Sequence, residues 1–220
     1  MEGLLNRSAL LREAILSTVD HPLADDSPRL LASMDAALLS LEHADALRTL
    51  LQAGMASSAM ALMRCQYEAF TRSVWILHCA ADVQVELLSL PPEAGMSEKG
   101  LPTLSKMLEA FAKVAELDNL LPHLIELKVH AWAPLNSFVH AGVHAMSRSR
   151  VGFSMALAIN VIRMSNNLSM MAGQHLATLT GVPGLQKEVL RLDETFAECL
   201  LFDEEKRRTI ETRAPVEQSS

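Results

Sequence analysis

The chain has 220 residues, half of them hydrophobic but only 4% aromatic, with a formal charge of −7. That length suffices for one domain with a substantial core. The acidic balance excludes the broad basic footprint of a non-specific nucleic-acid or anionic-membrane binder. Leu, Ala and Met supply the hydrophobicity, and these form helices more readily than strands.

The opening "MEGLLNRSALLREAI" carries an amphipathic helical period with an early acid, unlike a secretory leader. "DHPLADDSP" ends that helix, and Ser27-Pro28 starts the second in the favoured N-cap and first-turn order, running to about Gly54. Residues 55–80 form a third helix, continued or followed by "ADVQVELLSL". "PPEAGMSEKGLP" is the longest loop signal. Helices are predicted at about 102–117 and 119–131, and another begins at Pro134 and runs past His144. Val151–Leu179 reads as one long apolar helix, stopped by "TGVPG". A charged amphipathic helix over 184–211 and a frayed tail at 213–220 complete the chain. No segment alternates like a strand. The expectation is an all-α multi-helix bundle of seven to eight helices, with residues 1–212 as a single domain.

Cys65, Cys79 and Cys199 are an odd set without framework spacing, which points to reduced thiols and a cytoplasmic location. No run reaches the length of a transmembrane helix.

Two polar stripes interrupt the apolar pattern. On the third helix Arg64, Glu68, Arg72, Trp75, His78 and Cys79 share a sector roughly 120° wide. An Arg64–Glu68–Arg72 ladder at i,i+4 spacing is either a surface feature or a paired cluster lining a cleft. In "LNSFVHAGVHAMSRSR", Asn136, His140 and His144 fall on one face of a continuous helix, with Arg148 and Arg150 close behind. The pair H-x-x-x-H could supply two metal ligands, with Glu126, His130 or Glu68 as a third. It lacks the internal Glu of metalloproteases and the paired E-x-x-H of di-iron bundles, so neither metal nor cofactor is expected.

"RSVWILH", Arg72 to His78, fits the R-x(4–6)-H spacing of HEPN ribonucleases. In those proteins an Arg holds a phosphate and a His assists attack by a 2′-hydroxyl without metal. Here Ser73 follows the Arg where that family favours Asn or Asp. The blocks "ALMRCQYEAFTRSVWILHCA" and "AWAPLNSFVHAGVHAMSRS" resemble those of a family of uncharacterised bacterial helical proteins. Its pattern is R-x-x-x-E-x-x-x-R-x-x-W with L-N-x-x-x-H-x-G and a following Arg. Arg64, Glu68, Arg72, Trp75, Asn136, His140, Gly142 and Arg148 match it. The resemblance implies a bundle distantly similar to HEPN and abortive-infection proteins, with a place in defence or stress systems and a protein partner encoded nearby.

The expected site joins the two stripes. Arg64 and Arg72 clamp an anion, Glu68 orients them, His140 serves as acid/base or ligand contact, and Asn136, His144, Arg148 and Trp75 support it. A non-catalytic binding or dimerisation module is favoured over a metal-independent ribonuclease using Arg72 and His78 or His140. A mean hydropathy of +0.17 and the apolar 151–179 helix lead to the expectation of a homodimer, with RNA not favoured and no membrane.

Overall fold

The computed structural model describes residues 1–90 and 100–201. It is all-α, with no strand among the described residues. In chain order the helices are α1 (Glu2–Thr18), α2 (Pro28–Gln52), α3 (Ala56–His78), α4 (Asp82–Leu88), α5 (Leu104–Phe111), α6 (Leu121–Val139), α7 (Val143–Val151), α8 (Met155–Thr180) and α9 (Leu185–Thr195). Single 3₁₀ turns, Ala115–Leu117 and Ala197–Cys199, follow α5 and α9. No helix among the described residues is long and apolar enough to cross a membrane.

α3 is the axis of the bundle. Met63, Tyr67, Phe70, Val74 and Trp75 are all buried in the main core. α2 lies antiparallel to it, as three descending contacts show. Arg29 donates to the Ile76 carbonyl, Ser33 to that of Ser73 and Ser40 to that of Gln66. The first of these also satisfies a carbonyl in the last turn of α3, which has no partner within its own helix. Ser27 accepts from the Leu30 N–H, the N-cap that the Ser-Pro pair predicts.

α8 is wedged between two apolar layers. One side joins the α2–α3 core through Val161, Ile162, Leu168 and Leu176. Another meets α1 and α9 through Met170 and Ala177, which pack with Leu11, Ile15, Leu185 and Val189. The apolar character that suggested an outward, dimerising 151–179 helix is therefore consumed inside the chain.

Several predicted boundaries move. The 102–117 helix is α5 followed by a 3₁₀ turn. The segments at 119–131 and from Pro134 onward form one helix, α6, with Pro134 inside it. Proline's fixed φ is compatible with a helix, and burial of Leu124 and Leu135 on either side offsets the missing hydrogen bond. The chain breaks instead at 140–142, where a continuous helix was expected. His140 closes α6, Ala141 takes φ +51°, and Gly142 precedes α7. Ser137 Oγ accepts from the N–H groups of His144 and Ala145 at 3.0 and 3.3 Å, so the cap of α7 comes from the helix before it. A Cβ at Gly142 would lie 2.8 Å from that oxygen, which gives this glycine a structural reason. A second break at Gly152, φ +85°, makes Val151 the end of α7 rather than the start of α8. α9 ends at Thr195; the rest of the predicted 184–211 helix beyond residue 201, and the 213–220 tail, lie outside the described residues.

Gly173 shows how tightly α1 seats on α8. A Cβ there would stand 2.6 Å from Ile15 Cγ2 and 3.3 Å from Val189 Cγ1. Gly173→Ala should therefore lower unfolding free energy by about 1–2 kcal/mol, overpacking outweighing the helix propensity gained. In an Ile15→Ala background the same change should cost almost nothing, a coupling that urea denaturation of the four proteins would measure. Equal costs in both backgrounds would show the contact to be unimportant.

Candidate functional site

The first polar stripe survives as a partly buried group where α6 crosses α3. Arg64 Nη2 donates to Glu68 Oε1 at 3.0 Å, the i,i+4 pair expected. The Arg64 side chain is only 16% exposed, and its guanidinium lies over the Trp132 ring, 4.6 Å from the centroid. Trp132 also meets Tyr67 edge-on at 6.0 Å, and the Tyr67 hydroxyl donates to the Leu124 carbonyl at 2.7 Å. Burial pushes the Tyr67 phenol well above its usual range. The aromatic pair thus fixes α6 against α3 and gives Arg64 a cation–π floor.

The upper half of the predicted ladder does not close. Among the described residues Arg72 forms no ion pair with Glu68 or any other acid, although its guanidinium is partly enclosed. Arg64 Nε and Arg72 Nη1 are both shielded from solvent, and no acceptor among the described residues hydrogen-bonds to either. The remaining predicted residues are dispersed. Trp75 is core, 3% exposed. Asn136 is half-buried on α6. His140, His144 and Arg148 are exposed, and their side chains have no hydrogen-bond or ion-pair partner among the described residues. The break at 140–142 separates His144 and Arg148 from the helix that carries Asn136. No group of three His, Cys, Asp or Glu that could hold a metal ion occurs among the described residues.

His78 is half-buried at the end of α3; burial lowers its pKa, partly offset by Glu116. Cys65, beside the ladder, is pushed up by burial, then by Glu68, against the opposing pull of Arg64. Burial holds it as a thiol, which is unreactive.

A second polar group escaped the sequence reading. Ser33 Oγ donates to the Ser73 carbonyl at 2.8 Å and lies 2.8 Å from His175 Nε2. With its one proton committed to the carbonyl, the hydroxyl must accept from Nε2–H, which assigns the tautomer. His175 packs edge-on against Phe70 and is driven down to about 3, by burial first and by His78 second, the Ser73 carbonyl opposing. Ser33 and His175 are 142 residues apart in sequence, so no local spacing could announce them. Fully enclosed and neutral at pH 7, this trio ties α2, α3 and α8 together.

The fold and its site define a helical bundle with an enclosed arginine pair on its central helix. Residues 37–202 match the model of a family of unknown function (DUF6988), and the chain belongs to that family. No curated protein and no solved structure matches it.

His175 makes stability depend on pH in a defined direction. Its folded pKa lies below the unfolded value near 6.5, so the unfolded chain takes up the proton first. The contribution is complete above about pH 6.5 and is lost progressively as pH falls toward 3. Between pH 7 and 5 the loss should be about 2 kcal/mol. His175→Asn, less stable at pH 7, should close about that much of the gap to the parent at pH 5 in urea unfolding. A gap unchanged with pH would show that His175 does not titrate with folding.

Proposed function

We propose that this chain is a non-catalytic binding module that takes an anionic group, a carboxylate or a phosphate, against α3 at the edge of α6. One observation carries the reading: among the described residues Arg64 Nε and Arg72 Nη1 are enclosed without a hydrogen-bond acceptor, and the third such nitrogen, Arg12 Nε, differs in being ion-paired with Asp45. A guanidinium donor left unpaired away from water costs on the order of 1–3 kcal/mol or more. An anion would supply the acceptor through charge-assisted bonds, the recognition that arginine's planar fork suits best. Glu68 holds one face of Arg64 and Trp132 the other, so that side chain is pre-positioned.

The ribonuclease reading draws less support. An acid/base histidine works within hydrogen-bond reach of the reacting group, and His140 stands exposed beyond the end of α6. His78 shares α3 with Arg72, but among the described residues no carboxylate or hydroxyl hydrogen-bonds its ring, Glu116 acting on it only through its charge.

Thermal unfolding in inorganic phosphate and in acetate, each against chloride at equal ionic strength, tests the proposal. At about ten times Kd the bound anion should contribute roughly 1.4 kcal/mol, a rise in Tm of a few degrees. Arg72→Gln should abolish the rise, and so should Arg64→Gln. Parent protein stabilised no more by phosphate or acetate than by chloride would overturn the reading, as would cleavage of total RNA in EDTA.

A further inference from the structure

We propose that the outer face of α7 docks an acidic amphipathic helix of another protein. Three observations converge on it. First, α7 is nine residues long and none of them is buried. Val143 is 83% exposed, Met146 60% and Val151 78%, and such apolar exposure on a single short helix marks a contact surface. Second, the exposed apolar groups are ordered. Val143, Met146 and Arg150 fall at i, i+3 and i+7 on one stripe, Val151 and His144 lie roughly 100° around the helix from it, and Arg148 is on the far side. That spacing suits helix-on-helix docking, and methionine adapts readily to a partner's surface. Third, charge selects the partner. No Asp or Glu occurs from Leu127 to Lys187, in a chain whose net charge is −7. Arg148 and Arg150 are exposed and carry no ion pair among the described residues. A partner that is apolar along one stripe and acidic at its flanks satisfies both features at once.

The other occupants fit less well. Two copies meeting α7 to α7 about a two-fold axis would leave Arg148 and Arg150 without a carboxylate, since neither α7 nor the segments flanking it carry one. Two cations near an anionic bilayer supply only roughly thirtyfold in partition, and Val and Met replace the Trp, Phe and Leu that anchor interfacial helices. Single-stranded RNA asks for aromatic stacking platforms, and α7 has no Phe, Tyr or Trp.

The test uses the full-length chain and a fluorescein-labelled synthetic helix with Leu at i, i+3, i+4 and i+7 and Glu elsewhere, read by anisotropy. Its Lys counterpart is the control. The Glu peptide should bind saturably and at least tenfold more tightly than the Lys peptide, and more weakly as salt rises. Arg148→Glu with Arg150→Glu, and separately Met146→Glu, should each weaken binding at least tenfold without moving Tm, since all three side chains are exposed. Arg64→Gln should leave it unchanged, which separates this surface from the anion site on α3. Equal binding of the two peptides, or no binding, overturns the proposal. So does a dimer, seen by light scattering, that Met146→Glu dissolves. Uptake on phosphatidylcholine–phosphatidylglycerol vesicles or on poly(U) that the same three changes abolish, without peptide binding, also overturns it.

Discussion

Gln66 and Ser165 hydrogen-bond to each other in both directions at the centre of the bundle. The Gln66 amide donates to the Ser165 carbonyl at 2.8 Å, and Ser165 Oγ returns a bond to Gln66 Oε1 at 2.7 Å. Both residues are fully buried. A buried amide left unpaired is costly, so this exchange permits one register of α3 against α8 and penalises its neighbours. Ser40 on the Gln66 carbonyl and Ser169 on the Ser165 carbonyl extend it to α2 and along α8. Asn166, the next residue of α8, reaches the other way to Ser8 and to the Cys199 carbonyl. Small polar side chains on one long helix thus set the positions of α1, α2, α3 and the turn after α9.

This explains how an interior helix can carry so many polar residues. α8 is apolar enough to be enclosed on two sides, yet apolar contact alone would let it slide along its neighbours. Serines and asparagines add direction to that packing. The arginines of α3 are arranged differently. Arg29, Arg7 and Arg163 each find a backbone carbonyl, whereas two nitrogens of Arg64 and Arg72 find none. Arg12 Nε also lacks a hydrogen bond but is ion-paired with Asp45, so the incompleteness on α3 is the feature on which the proposed function rests.

Composition and periodicity were sufficient for the all-α class and for α1, α2, α3 and α8. The Ser27-Pro28 cap and the Arg64–Glu68 pair depend on neighbours within one turn, and both were legible. What failed depended on tertiary context. Pro134 looked like a helix start because the burial that carries α6 through it cannot be seen locally. The break after His140 rests on Ser137 turning back to cap α7, an interaction indistinguishable in sequence from an ordinary helical serine. With that break the face shared by Asn136, His140 and His144 dissolves. Trp132, which completes the Arg64 environment, stands on a different helix, so no local spacing connects the two. His175 and Ser33 meet only because α2 and α8 do.

The corner at 137–142 divides the molecule by lability. Amides of α3 and α8 lie within the apolar core and should reach solvent only with global opening. Those of α7 are held by one serine cap, a left-handed alanine and a helix with no fully buried residue, so they should open alone at smaller cost. The L-N-x-x-x-H-x-G segment of this chain therefore sits at the boundary between the packed frame and an exposed appendage. That appendage can be reshaped without any change in the frame's packing.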